Sequence, residues 1–315
     1  MAKENFETFK DELISILEDR LDPGYTLRTD MIKKHNGINK TGLTLQKGIE
    51  DSGIAPTIYV EDLYKEYNGY NMTSIVEETL SNLVIRSDVS VDLDNVMSLD
   101  YIKENAYLKV INTESNYDYL MDKPYISLEG FEDLSAVVIL RVDITTDNGD
   151  LNGNTVVDDS MLEILDISKS ELFEIAKANS MEKDPARFES MRTVLMKNMG
   201  ITEDDPMADF FPPDDGKMNV LMNKSMMFGA STIMYDGIME DIHGKLGEDF
   251  VIIPSSIHEV IIIPESVAPV REELLGLIRE VNAGVVDSAD KLSDNAYMYS
   301  GATVSVSMIT DSEAT

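Results

Sequence analysis

Imidazole is the side chain that changes charge near neutral pH, so a search for acid–base chemistry begins with histidine. The chain has three, His35, His243 and His258, and their spacing fits no local metal-binding motif. The absence of cysteine excludes disulfides, thiolate metal sites, iron–sulfur clusters and a cysteine nucleophile. The phosphate loop, the dinucleotide-binding glycine pattern and the nucleophile elbow are also missing. The sequence therefore predicts no cofactor.

The segment IPSSIHEV places His258 beside three residues that could assist it. A general base needs a partner within hydrogen-bond reach, and Ser255 or Ser256 could supply a hydroxyl. On a strand, His258 and Glu259 would point to opposite faces. Ser255, Ser256, His258 and Glu259 are thus the candidate catalytic residues of a hydrolase. We favour a structural interpretation, in which a half-buried histidine binds a hydroxyl or carbonyl of the turn.

Oxygen-bearing side chains at alternate positions suggest a calcium loop at 148–159. Its candidate ligands are Asn148, Asp150, Asn152 and Asp159, with Gly153 in the sixth place. Asparagine in the first place and aspartate in the twelfth depart from the calcium-loop pattern, and the flanks resemble strands. An Asn/Asp/Gly run between strands is ordinary turn chemistry, so we favour a turn and predict no metal.

The ionic balance is strongly acidic, with 26 basic and 59 acidic side chains and a net charge of −33. This sign disfavours direct binding to nucleic acid and to anionic membranes. Residues 48–174 alone hold 7 basic and 27 acidic side chains. Most simply, this charge keeps the protein soluble and monomeric. The alternative is a nucleic-acid mimic that occupies a basic groove of a partner through nine aspartates: Asp88, Asp92, Asp94, Asp100, Asp143, Asp147, Asp150, Asp158 and Asp159.

Methionine is the other compositional signal, with 19 residues. Six of them follow a Pro-rich segment: Met218, Met222, Met226, Met227, Met234 and Met239. We favour the interpretation that these methionines pack in the hydrophobic core, where their flexible side chains fill gaps. A stripe of exposed methionines would instead indicate a groove that binds proteins of varied sequence.

The elements that must position these residues are helices mixed with short strands, and they do not alternate regularly as strand, helix and strand. This predicts an α+β fold of antiparallel strands and two packed lobes. The predicted lobes are 1–200, with the acidic middle, and 218–300. An acidic Pro-rich linker at 201–217 separates them, and the residues from 301 to 315 form a polar tail.

Particular elements follow from periodicity and turn residues. We predict helices at 4–21, 184–199, 229–246 and 269–282, and a hairpin that turns at Asn36-Gly37. The charged N-terminus has no apolar h-region, and no apolar run approaches the ~20 residues of a membrane helix. We therefore expect a cytoplasmic protein without a membrane segment.

Several segments resemble an uncharacterised family of anaerobic gut Firmicutes, known as a domain of unknown function. They are Asn36-Gly37 with Thr41-Gly42-Leu43, APTIYV at 55–60, MNK with FGA at 222–230, and IPSSIHEVIIIP at 253–264. The resemblance implies a bacterial, cytoplasmic setting, on mobile elements, and it brings no activity, substrate or cofactor.

Charge and methionine content both indicate a protein that acts on a partner. We therefore predict a non-enzymatic protein-binding or inhibitory module, whose partner is a protein with a basic surface and which binds neither nucleic acid nor membrane directly. The alternative is a hydrolase that uses His258 with a nearby carboxylate or hydroxyl.

Overall fold

The structure is a computed structural model that describes residues 5–47, 57–87, 96, 98–146, 149–211, 214–284 and 286–310. Helices accompany antiparallel sheets, which confirms the predicted α+β class. The chain divides into two compact units. Unit 1 comprises 1–102 and 141–155, and unit 2 comprises 103–140 and 156–315.

Unit 1 contains a three-stranded sheet in the order β1-β2-β3. Its elements are α1 (Phe6–Arg20), β1 (Tyr25–Lys33), β2 (Asn39–Lys47), β3 (Ile58–Tyr59), α2 (Val60–Glu66) and α3 (Met72–Ser87). The Asn5 side chain accepts a hydrogen bond from the Thr8 amide at 2.9 Å and so begins α1. Phe9, Leu13 and Leu17 are fully buried, as the helical period predicts.

The β1–β2 hairpin turns where the sequence predicts it. Asn36 and Gly37 both have positive φ, 59° and 67°. A two-residue turn of this hand matches the twist of the paired strands, which is why Asn-Gly is its usual sequence.

Unit 2 holds two sheets, which run in the orders β4-β6-β5 and β13-β12-β10-β11-β9-β8. The elements from α4 to β7 are α4 (Leu99–Asn105), β4 (Ala106–Asn112), α5 (Tyr117–Leu120), β5 (Tyr125–Leu128), β6 (Phe131–Thr146) and β7 (Gly149–Val156). The division between the units crosses α4 after Ile102 and β6 after Leu140, and most of β7 belongs to unit 1. Residues 136–140 of β6 are fully buried, which fits the predicted central strand.

The second half of unit 2 supplies the six-stranded sheet and its helices. They are α6 (Asp159–Leu165), α7 (Lys169–Lys183), β8 (Ala186–Ser190), α8 (Met191–Asn198), β9 (Asn219–Asn223), α9 (Ile238–Leu246), β10 (Phe250–Ile253), β11 (Glu259–Pro264), α10 (Arg271–Gly284), β12 (Ala296–Ser300) and β13 (Ser305–Ile309). Short 3₁₀ helices occupy 206–210, 229–234 and 265–267.

Segment 201–217, predicted as a linker between lobes, lies within unit 2. It connects β8 and α8 to β9, and β8 pairs with β9 from Ala186↔Asn223 to Ser190↔Asn219. The two sides of this segment therefore belong to one sheet, because strand pairing links them.

Three predicted elements differ from the structure. The predicted helix 184–199 is a strand, β8, followed by the shorter helix α8. The predicted helix 229–246 is a 3₁₀ helix and then α9, separated at Gly237, whose φ is 76°. The predicted polar tail contains β13, which pairs with β12. In each case a tertiary contact or a turn residue overrides the local pattern.

No helix among the described residues is both long and apolar enough to span a bilayer.

Asp249 joins the start of β10 to the end of β12. Its carboxylate accepts hydrogen bonds from the Gly301 amide at 2.9 Å and from the His243 ring at 3.2 Å. The Gly301 amide, followed by the Ser300 and His243 side chains, lowers the pKa of Asp249 although partial burial opposes the shift. A lowered pKa stabilises the fold above the pKa of the unfolded state, and this contribution disappears as the pH falls through the folded value.

We therefore expect Asp249→Asn to lower the thermal unfolding temperature near neutral pH, and the difference from wild type to shrink below about pH 4. Calorimetric scans from about pH 7 to about pH 3 measure this difference. A difference that stays constant over that range would show that the charge of Asp249 has no part in stability.

Candidate functional site

The connection between β10 and β11 contains the predicted catalytic residues, and two of them hold the turn. The Ser256 hydroxyl donates a hydrogen bond to the Glu259 carboxylate at 2.8 Å and accepts one from the His258 amide at 3.0 Å. The Ser256 amide also donates to the Glu259 carbonyl. Ser256 and Glu259 thus satisfy backbone and side-chain groups of their own turn.

The ring of His258 is engaged by Phe228. Its Nδ1 accepts a hydrogen bond from the Phe228 amide at 3.2 Å, and the two rings stack with their centroids 5.8 Å apart. Because Nδ1 is the acceptor, a neutral His258 carries its proton on Nε2, which lies 3.6 Å from the Asp290 carboxylate. Neither nitrogen then offers a free lone pair to a substrate. Catalysis by His258 stays a prediction, and it requires His258 to release the Phe228 amide.

A buried aspartate that the sequence analysis missed supports this part of the fold. Asp184 is 2% exposed, and its carboxylate accepts hydrogen bonds from the Ser225 amide at 2.8 Å, the Ser225 hydroxyl at 2.6 Å and the Asn223 side chain at 3.0 Å. Asn223 also donates to the Met227 carbonyl at 2.8 Å. Asp184 therefore fixes the loop between β9 and Phe228.

A partly buried carboxylate, Asp133 of β6, fixes the segment before β12. It accepts hydrogen bonds from Ser293, Asn295 and Asn112 at 2.6, 2.9 and 3.2 Å, and from the Tyr297 hydroxyl. Burial, followed by the bond to Asp133, raises the pKa of Tyr297. With four donors on its two oxygens, Asp133 has the surroundings of a structural residue.

Only part of the candidate calcium loop lies within the described residues, and its backbone there is a strand followed by a helix. Residues 149–156 form the extended strand β7, and Asp159 begins α6. Asn148 lies outside the described residues, and the side chains of Asp150 and Asn152 are not described. Within the described part of the chain, no three His, Asp or Glu side chains form a group that could hold a metal ion.

The nine aspartates proposed as a mimic fall in different places. Asp88, Asp92, Asp94 and Asp147 lie outside the described residues, and the side chains of Asp143 and Asp150 are not described. Asp100 is exposed in the first turn of α4. Asp158 caps α6 by accepting from the Met161 amide at 2.9 Å, and Asp159 lines an open cavity of about 420 Å³ together with Lys123 and Lys169. A shared acidic face stays a prediction.

A second cavity of about 420 Å³ is an apolar groove on one face of the six-stranded sheet. Ile253 of β10 and Ile261 and Ile263 of β11 contribute from the sheet. Helix α10 contributes Leu274, Leu277, Ile278, Val281 and Asn282. The lining is completed by Lys217, Met218, Ser255, Val267 and Pro269. Ser255 is thus the one predicted catalytic residue in this lining.

The groove follows from how two helices share one face of the sheet. Residues directly opposite in an antiparallel pair point to the same face, which places Ile253, Ile261 and Val220 in one row. Ile253 and Ile261 belong to the cluster of α10, whereas Val220 packs against Val194 of α8. Helix α8 and helix α10 therefore cover the same face of the sheet, α8 over β9 and α10 over β10 and β11.

Large apolar side chains at the groove remain in contact with solvent. Their exposed fractions are 50% for Leu277, 38% for Val281, 41% for Val267 and 42% for Met218. Scattered single apolar residues are normal on a protein surface, but a contiguous group around a concave site indicates binding. The sequence predicted the helix at 269–282, but its apolar spacing does not tell which of these side chains remain exposed.

The methionine cluster is divided between core and surface. Met222 and Met239 are buried, as the core interpretation predicts, while Met218, Met226 and Met227 are about two-fifths exposed. Only Met218 of these lines the groove. The cluster is therefore neither wholly core nor one continuous exposed stripe.

A family model described as "Family of unknown function (DUF5688)" matches residues 6–301 of the chain. The searches of curated proteins and of solved structures found no match.

Proposed function

The chain belongs to the family of unknown function DUF5688, and because that membership carries no activity, we propose from the groove itself that the protein is a binding module for another protein. One observation carries the proposal. An apolar groove opens on the sheet of unit 2 and leaves Leu277, Val281, Val267 and Met218 exposed. Covering these side chains with a partner would remove apolar surface from water, which favours association.

Charge supports a basic protein as the partner. The chain carries a net charge of −33, which attracts a basic surface at long range and repels nucleic acid and acidic proteins. Attraction of this kind raises the rate of encounter, while the apolar contacts in the groove provide the residence time.

A narrower version, in which aspartates replace phosphates and inhibit a nucleic-acid-binding protein, is supported by the net charge alone. It requires the carboxylates to share one face. Asp158 already binds the Met161 amide and the Ser160 hydroxyl, so its carboxylate acts in capping α6.

Peptide display tests the binding function. A random library of about 14 residues would be selected on wild type, on the groove variant Leu277→Asp, and on the control Ile164→Asp. Ile164 is also an exposed apolar residue, 69% exposed in α6, and it does not line the groove. We expect peptides with apolar anchors that bind wild type and the control alike, and that lose about tenfold or more in affinity to Leu277→Asp, as for a central contact.

The added carboxylate separates apolar from ionic binding. Leu277→Asp makes the protein more acidic, so a peptide held by charge alone would bind this variant as well as wild type or better. If the selection gave only peptides held by charge, or gave no binding peptide, the protein-binding groove would be contradicted.

A further inference from the structure

We propose that the occupant of the groove is an amphipathic α-helix with a basic polar face, a partner class that rests on the proposed protein-binding function. Three features of the described residues support this choice of occupant: the hydrogen bonding of the sheet beneath the groove, the apolar side chains that α10 presents to it, and the charge at its rim.

The hydrogen bonding of the sheet excludes an added strand inside the groove. Strand β11 pairs with β10 on one side and with β9 on the other, so its backbone groups are already used. A segment in extended conformation on top of the sheet would bury backbone N–H and C=O groups without partners, which costs free energy. A helix forms its backbone hydrogen bonds internally and can bury an apolar face at no such cost.

Helix α10 presents an apolar side to the groove. Its groove side carries Leu274, Leu277 and Val281. These positions follow the spacing of 3 and 4 residues that places side chains on one face of a helix. They span roughly 10 Å at 1.5 Å per residue, which matches a partner helix of at least two turns.

The negative charge at the rim of the groove favours a partner helix whose polar face is basic. Residues 214–218 and 265–284, which contain the rim, hold six acidic side chains against three basic ones, a net charge of −3. Glu273 and Glu280 are exposed on α10 at four residues before and three after Leu277, so they flank it on the helix surface. Lys217 is neutralised by Asp215, with their charged groups 2.7 Å apart. A helix with lysine or arginine beside its apolar face is complementary to this rim.

Three synthetic peptides of 14 residues test the proposal. The first has leucine at helical spacing and lysine elsewhere, the second has the same composition in scrambled order, and the third replaces lysine by glutamate. Each would be titrated into wild type, Leu277→Asp and Ile164→Asp, with fluorescence anisotropy for affinity and circular dichroism for helix content.

We expect the first peptide to bind wild type and Ile164→Asp equally, to gain helix content on binding, and to weaken at high salt. The scrambled peptide should bind wild type about tenfold or more weakly than the first peptide, and the first peptide should lose as much affinity for Leu277→Asp. The glutamate peptide should bind wild type more weakly than the scrambled peptide does. Equal binding by the ordered and scrambled peptides, or binding without a gain in helix content, would contradict a helical occupant of the groove.

This outcome is distinguishable from failure of the proposed function. Displayed peptides that depend on Leu277 but bind without helix formation would leave the protein-binding groove in place and remove only its helical occupant. If neither displayed nor synthetic peptides depend on Leu277, both proposals fail.

Discussion

Replacing Gly229 by alanine is expected to lower the free energy of unfolding by about 3 kcal/mol or more, because the added methyl group meets rigid backbone. A Cβ at this position would overlap the carbonyl oxygen of His258 and lie 2.8 Å from the backbone nitrogen of Asn223. Both neighbours are main-chain atoms at the ends of β11 and β9, so neither can rotate away. Relief would require Phe228 and the loop before it to shift.

Urea denaturation followed by circular dichroism measures the effect, and Gly244→Ala is the matched control. Gly244 lies inside α9, and a Cβ there would have nothing within 4 Å. The same substitution should therefore raise the free energy of unfolding by about 0.5–1 kcal/mol, since alanine favours a helix interior. Equal effects of the two substitutions would contradict close packing at Gly229.

Asp184→Ala is expected to destabilise the protein by about 2–3 kcal/mol, because it removes a buried carboxylate that accepts three hydrogen bonds, one of them from the buried Asn223 side chain. The carboxylate accepts hydrogen bonds from the Ser225 amide, the Ser225 hydroxyl and the Asn223 side chain. Asp184→Asn keeps one oxygen but turns an NH₂ group towards a donor, so it should recover less than half of this loss.

The control for Asp184 is Asp236→Ala. Asp236 is also paired, with Lys177, but its side chain is 75% exposed. An exposed ion pair contributes little, so we expect a change within about 1 kcal/mol. The midpoint and slope of urea denaturation give both values. A similar loss for the two alanine variants would show that the bonds to Asp184 do not hold the loop.

The candidate site was only partly accessible from the sequence. The alternation rule separated His258 from Glu259 and favoured a structural histidine in a turn. The partner of the His258 ring is Phe228, thirty residues away in sequence, through a backbone amide. A bond to a main-chain group leaves no signature in residue types. For the same reason neither Asp184 nor Asp133 was identified, since each collects donors from segments that are distant in sequence.

The sequence by itself determined what local physics controls. The spacing of apolar residues predicted α1 and α10, Asn36-Gly37 predicted the first hairpin, and the excess of carboxylates fixed the sign of the net charge. Tertiary structure alone decided how 184–199 folds, because the pairing of β8 with β9 outweighs the helical preference of its first half. It also decided which apolar side chains of α10 are buried and which remain at the groove. The exposure of a side chain depends on what packs against it, and for Leu277 and Val281 that is a property of the assembled fold, which the order of residues along the chain does not show.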